Sequence, residues 1–518
     1  MTSSEHKPAG LPVPNSTSSF WHSEPNEFLL GHRTTSELPS EADFVIVGSG
    51  ITGTSAARFL AEDERAKGKS IVLLEAREAC WGATGRNGGH CQVLPVARAL
   101  DVTQFEVLNY NAVKAYIEEH NVPCEWRSLD GCRSYYSSSM FAVAQAEVAA
   151  LQAKDPELGK LVRVVTSPDE LAAHRISKAV GCTLTSAAAS LWPYKLVTFI
   201  LEKLVKSGRL NLQTNTPVES ISSSSSSADS STSSSPHHSH TLHTPRGPIR
   251  ARHVILATNG YTSHLLPSFA DLIVPVRGEM SSLLPPPGAP RLADSYGLCG
   301  QRGQPAHGDD YLNQRPYGGV PNPAGHYMYG GGDGAARHER VGVWDDGVVD
   351  EGMAAWLRGR LLEYMELGGE TGGLRELEAT HQWTGIMGYS RDNVPWVGKV
   401  PGEGVWLAGG YTGHGMPNGT LCGKAVVELA LADAAGVPAS EAQQKVVDDV
   451  GLPRAYLITE DRFAAVRKLP TVAEADAMGA IGNHARQEAQ PQPQPQPQSR
   501  ASGVFDYLKS FVTSSSSK

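Results

Sequence analysis

The sequence predicts an α/β fold in which two domains interleave, and three observations carry that prediction. First, the apolar run Asp43-Phe44-Val45-Ile46-Val47 meets Gly48-Ser49-Gly50-Ile51-Thr52-Gly53, and a second apolar run, Ile71-Val72-Leu73-Leu74, is closed by Glu75. Second, a similar pattern returns much later: Gly404-Val405-Trp406-Leu407-Ala408, then a glycine-rich stretch from Gly409 to Gly415, then helical spacing from about Asn418 to Leu431. Third, residues 301–334 are dense in Gly and Pro with alternating aromatics, as in antiparallel strands.

The first pattern is strand, tight turn, helix, strand, carboxylate. Gly48 permits the turn, Gly50 lets the backbone approach a pyrophosphate, and Gly53 lets helix and strand pack closely. The helix N-terminus, at Ile51 and Thr52, offers unpaired N–H groups and a partial positive charge to phosphate. Glu75 stands where a carboxylate accepts ribose hydroxyls. These residues therefore predict a site for the ADP half of a dinucleotide and leave NAD and FAD both open. The second pattern points another helix N-terminus at a ligand. That arrangement stabilises negative charge on the N1/C2 edge of a reduced flavin, a need that NAD lacks.

At 518 residues the chain exceeds what one core fills, so two domains with appendages are expected. The net charge of −9 argues against nucleic-acid binding. The seven cysteines include no CxxC pair and suit a reducing compartment. No apolar run is long enough to span a membrane. The first ten residues lack the features of a secretory signal, and the C-terminal Ser-Ser-Lys is not the Ser-Lys-Leu peroxisomal address. A cytoplasmic location is expected. His237-His238-Ser239-His240 has no second ligand group near it in sequence, and no metal is expected.

Along the chain, residues 1–40 are rich in Ser, Pro and His and read as an N-terminal extension draped over the surface. Helices are expected at 103–120, 141–153 and 351–366, and strands at 211–218 and 253–260. Ser222 to Ser235 is nearly pure serine, too polar to order itself, so 222–240 reads as a disordered insertion at a hairpin tip. The nucleotide-binding domain is assigned 41–100, 190–270 and 380–435. The substrate domain is assigned 101–189 and 271–379. Residues 436–518 form a C-terminal extension with a Pro-Gln spacer.

Four segments together resemble the FAD-dependent oxidoreductases of the D-amino acid oxidase and glycine/sarcosine oxidase superfamily. They are the Gly48–Gly53 turn with Glu75; Glu75-Ala76-Arg77 followed by Gly82-Ala83-Thr84-Gly85-Arg86-Asn87-Gly88-Gly89; Ala257-Thr258-Asn259-Gly260-Tyr261; and Gly409-Gly410-Tyr411-Thr412-Gly413-His414-Gly415-Met416. Gln314-Arg315-Pro316 and the stretch from Gly388 to Pro395 are similar to the branch containing gamma-glutamylputrescine oxidase. The resemblance implies a Rossmann-type FAD-binding domain and a discontinuous α+β substrate domain on an antiparallel sheet. It implies FAD contacts from Gly48, Gly50, Ile51, Thr52, Gly53, Glu75, Ala76 and Arg77, and from Ala83 through Gly89. Further contacts are implied from Val218, Ala257, Thr258, Gly260, Gly385, Gly410, Thr412, Gly413, His414, Gly415 and Met416.

The implied reaction is oxidation of a C–N bond. A small-molecule amine or amino acid gives hydride to flavin N5, and O2 or another acceptor takes the electrons. No catalytic acid or base is evident; His414, Arg315 and Tyr327 are the pocket candidates. Three departures from the sarcosine oxidase branch matter. Residues 382–387 hold no cysteine, so the flavin is expected to be noncovalent, with His90 as the alternative attachment point. Pro417 stands where the branch has a carboxylate-gripping lysine, which directs expectation toward an extended amine, with Arg315 as a substitute cation. No lysine lies on 326–329, where the branch activates O2, leaving a dehydrogenase open. A flavin-binding protein without turnover is the reading from another class.

Overall fold

The computed structural model describes residues 7–96, 98–223, 240–305, 308–318 and 325–479. The central strand Glu41–Val47 pairs in parallel with Ile71–Leu74 on one side and Gly247–Leu256 on the other. Asn211–Gln213 and Trp406–Gly409 extend this sheet in parallel, and Trp396–Lys399 closes it antiparallel. Along the central strand, Phe44 and Ile46 enter one core cluster while Val45 and Val47 enter another. That burial on both faces is what a parallel sheet covered on both sides requires. The helices Ile51–Glu62, Leu100–His120, Pro193–Lys206 and Gly419–Ala434 supply the cover on the first face.

The second sheet has nine strands and is almost wholly antiparallel. Its two longest strands, Ala379–Ser390 and Ile273–Leu283, pair antiparallel at one end, and beyond Ile273–Leu283 come Tyr327–Gly331, Asp309–Gln314, Ser295–Cys299, Arg127–Tyr135 and Gly181–Ser190. The strand Ala379–Ser390, within the 380–435 stretch assigned to nucleotide binding, pairs in this second sheet. So does His90–Gln92, which ends the first nucleotide segment.

The expected helices are present as Leu100–His120, Ser138–Lys154 and Glu351–Tyr364. The strand expected at 211–218 stops at Gln213, because Thr214 to Thr216 turn back to bond His32, Arg77 and Glu75. Ser220–Ser223 and His240–Thr244 pair as a hairpin on the edge of the first sheet. The serine tract between them lies outside the described residues, as do His237, His238 and the Pro-Gln spacer.

One expectation is overturned. The N-terminal segment is not surface drapery. Phe20 and Trp21 are buried, and Trp192 Nε1 donates to the Trp21 carbonyl at 2.8 Å. Composition counted this segment as polar, but two aromatic side chains suffice to pull it inside.

Candidate active site

Four chain segments converge at the C-terminal end of the central strand. Gly48 has φ +101°, and a Cβ there would lie 2.7 Å from the Ala257 carbonyl oxygen. A side chain on Gly53 would run into the Gly48 carbonyl. The helix Ile51–Glu62 starts at Gly50 with no side-chain cap, and Thr84 Oγ1 accepts from Ile51 N–H at 3.1 Å. Glu75 closes the group: its Oε2 accepts from the Ser49 N–H (2.9 Å) and hydroxyl (2.6 Å), and Oε1 accepts from Arg77 N–H at 3.0 Å. A glycine cradle, a helix start whose N-cap glycine has no capping side chain, and an adjacent carboxylate are the donor and acceptor set that a dinucleotide requires, so the residues present fit one.

The loop after Trp406–Gly409 is tied into this cradle. Tyr411 and Thr52 share a hydroxyl–hydroxyl hydrogen bond of 2.8 Å. Asn259, at φ +46°, accepts from Gly410 N–H at 3.0 Å. Thr412 Oγ1 accepts from Ser390 N–H at 3.0 Å. Asn109 holds the far end: its Nδ2 donates to the Met416 carbonyl and its Oδ1 accepts from Leu421 N–H, both at 2.9 Å. Asn109 is missing from the sequence-based set because its partners lie about 300 positions away. Asn259 alone carried a local signal, since Asn tolerates positive φ.

Arg77 and Arg86 are less open than expected. Asp346, fully buried, receives the Arg77 fork at 2.9 to 3.1 Å and stands 3.3 Å from Arg86 Nε. Arg86 also donates to the carbonyls of Thr17 (2.6 Å) and Thr384 (2.8 Å). Their guanidinium groups therefore fasten the N-terminal segment and the second sheet to residues 77–87. That segment follows the cradle: Ser19 Oγ donates to Gly85 O at 2.8 Å, Trp21 Nε1 to Asn87 O at 2.5 Å, and His22 stacks on Trp81 with centroids 3.8 Å apart. Burial pushes His22 down to about 3, so it stays neutral.

Opposite the 88–90 backbone lies one face of the strand Asp309–Gln314. Asn313 Nδ2 donates to Gly89 O at 3.0 Å, and Tyr311 packs edge-on to His90 at 5.8 Å. Arg133 pairs with Asp309 at 2.9 Å beside them. Gly413, exposed, lies under Tyr389 with a built Cβ 3.8 Å from its hydroxyl. Burial lowers His90 to about 4; it takes His414 well below its ordinary range, helped by Arg98, and raises Tyr311 and Tyr389. All four are thus uncharged near neutral pH.

Two pocket candidates sit elsewhere. Tyr327 is fully buried on the opposite sheet face, clustered with Leu357 and Leu361 of the helix Glu351–Tyr364, so it belongs to the core. Arg315 is 3% exposed, gives Nη2 to both Glu125 oxygens (2.6 and 2.7 Å), and lies over Trp192 at 4.3 Å. Its Nη2 is committed to the Glu125 ion pair, while its buried Nε and Nη1 have no hydrogen bond. Val218 is buried in the first sheet's second core cluster, while Gly385 faces Arg86 and Gly260 faces Met387. Cys91 is buried, its thiol pushed up to about 12 by desolvation. Among the described residues, no cluster of His, Cys, Asp or Glu could hold a metal, and no helix is long and apolar enough to cross a membrane.

A parallel sheet with this cradle, joined to a large antiparallel sheet facing it, defines a dinucleotide-dependent oxidoreductase. The model of the FAD dependent oxidoreductase family matches residues 43–429, and the chain belongs to that family; FAD is its cofactor. The chain is 25% identical over 406 residues to the probable oxidoreductase OrdL of Rhizobium meliloti, covering 76% of this chain and 83% of that protein. OrdL of Haemophilus influenzae is 21% identical over 405 residues, with the same coverage. Among solved structures, glycine oxidase from Geobacillus kaustophilus superposes with TM-score 0.59 at 17% identity, covering 77% of this chain and 96% of that one. L-proline dehydrogenase from P. horikoshii gives 0.58 at 18% identity, covering 77% and 95%. These superpositions establish the fold.

Proposed function

We propose that this enzyme oxidises the C–N bond of a small amine or amino acid, with FAD held noncovalently between the glycine cradle and the 409–418 loop. Bound flavin supplies the hydride acceptor, and O2 or another acceptor takes the electrons onward. The observation that carries this is the uncharged wall of His90, Tyr311 and Tyr389 facing the loop, which itself adds only the neutral His414. It offers no base strong enough to compete for a proton, and a neutral amine is the form that surrenders hydride. The wall excludes water and orients the substrate, which is most of what such chemistry asks of the protein. Several structural neighbours, including an iminodiacetate oxidase and glycine oxidase, carry names of amine-oxidising enzymes, which supports the reading.

Anaerobic mixing with a panel of amines and amino acids tests it: at least one class bleaches the flavin, and uniform failure overturns the assignment. Acid precipitation should free the yellow colour; colour kept in the pellet points to His90. We infer that Glu75, at the edge of the cradle, accepts from the adenosine ribose. Glu75→Ala should cost about 1.5–3 kcal/mol of FAD affinity, read by flavin titration of the apoprotein. An unchanged dissociation constant removes Glu75 from the site.

A further inference from the structure

Two asparagines and a glutamate fasten the 409–418 loop. Glu106 and Asn109 stand three residues apart on the helix Leu100–His120, hence on one face, and both are fully buried. Asn109 Nδ2 donates to the Met416 carbonyl and its Oδ1 accepts from Leu421 N–H, both at 2.9 Å. Glu106 Oε2 accepts from Leu94 N–H, and its Oε1 from Asn418 Nδ2, both at 3.2 Å. Asn418, itself buried, also donates from Nδ2 to the His414 carbonyl at 3.0 Å and accepts from the Tyr456 hydroxyl at 2.9 Å. Arg98 Nη1 lies 3.2 Å from Glu106 Oε1, so the carboxylate is paired and the pair adds no net charge beside the loop.

Apolar side chains would fill these positions at lower cost, because every buried polar atom must find a partner. The partners found here are the loop's carbonyls and the start of the helix Gly419–Ala434. Local preference does not shape the loop: Thr412 stands at φ +50°, rare for a β-branched residue. In a trans peptide a carbonyl and the following N–H point opposite ways. Drawing the His414 carbonyl to Asn418 therefore turns Gly415 N–H away from Asn418. The peptide after Met416 has no N–H, since residue 417 is proline, and Asn109 takes its carbonyl. That bond keeps the oxygen from turning toward an electron-rich ligand. No backbone carbonyl among the described residues accepts from the N–H groups of Gly413 or Gly415, which leaves both donors to a ligand.

We propose that Asn109 and Asn418, the latter aimed by Glu106, are positioning residues that set the 413–416 backbone to stabilise the negative charge of reduced flavin at its N1/C2 edge. The proposal rests on FAD lying between the cradle and this loop, as inferred above. The asparagines act through peptide planes. They set the reduction potential more than the affinity for oxidised FAD, because the charge to be stabilised arises only on reduction.

The test is reductive titration of the full-length, FAD-loaded enzyme with dithionite beside a reference dye, which needs no amine. The wild-type midpoint potential should lie above that of free FAD in the same buffer. Asn109→Ala and Asn418→Ala each release a different carbonyl. Each should lower the potential by about 30 mV or more, equivalent to a tenfold loss of preference for reduced over oxidised flavin. The dissociation constant of oxidised FAD should change by less than that factor. Thr103→Val removes a buried hydroxyl of the same helix that donates to Ala99 O, and should leave the potential unmoved. An unmoved potential in either asparagine variant, or an equal drop in Thr103→Val, overturns the proposal. A wild-type potential at or below that of free FAD overturns it without any variant, so poorly folding alanine forms leave it falsifiable. If amines bleach the flavin but the potential ignores the asparagines, the positioning role fails and the C–N oxidation stands. If the variants lower the potential and no amine bleaches the flavin, the oxidation fails and the positioning role stands.

Discussion

The N-terminal segment and the serine-bearing hairpin are alike in composition and opposite in structure. Both are rich in small polar residues. One is fastened to the cofactor cradle through Ser19, Trp21 and the Arg86–Thr17 bonds; the other is a two-strand hairpin, Ser220–Ser223 with His240–Thr244, on a sheet edge. Two aromatic residues and a few donors make the difference. Average polarity says little about where a segment lies when its few anchors bury a large apolar area each.

The most forceful way to break this comparison is Trp21→Ala. It removes a ring packed against Trp192 and the donor to Asn87 O, and should cost about 3–5 kcal/mol of stability, read as a lower Tm together with loss of bound flavin. A Tm within experimental error of wild type would put the segment back on the surface.

The pH dependence sharpens the comparison next. Glu279 Oε1 accepts from Thr384 Oγ1 at 2.8 Å, and Thr384 N–H donates to Thr17 at 3.0 Å, so this buried carboxyl supports the segment's dock. Burial raises it from 4.5 to about 7. A carboxyl raised on folding favours the folded state fully below its unfolded value, and that contribution fades as pH climbs through the folded one. Stability should therefore fall between pH 4.5 and about 7, by at most about 3 kcal/mol from this group. Glu279→Gln should flatten that slope in Tm measured across the window; an unaltered slope would assign it to other groups. The smallest effect belongs to the hairpin. Joining Ser223 to His240 through a short turn, with 224–239 removed, should leave unfolding stability within about 0.5 kcal/mol of wild type and flavin content unchanged.

Much of the cradle was legible because its signals are local. Gly48, Gly53 and Glu75 work through neighbours a few residues away or across adjacent strands, and the Gly409–Gly415 loop announces itself by its strand and helix. Tyr327 was misplaced because a strand's two faces differ only in parity, and nothing near it in sequence says which face meets the core. Arg315 looked available because Glu125 lies in a distant, unpatterned turn. Asp346 and Asn109 were invisible for the same reason: each acts on a partner brought close only by the finished fold.

The order of strands in the first sheet has a consequence for biosynthesis. Gly247–Leu256 lies between Glu41–Val47, made early, and Trp406–Gly409, made late. Until the ribosome has passed that last strand, the middle one presents an open edge to its surroundings, and the helix Gly419–Ala434 that packs against the glycine turn does not yet exist. A chain stalled before this point has half a nucleotide cradle. On the proposed placement of FAD, cofactor capture becomes a late event in the life of the nascent polypeptide, and flavin would select for chains in which this last strand is in place.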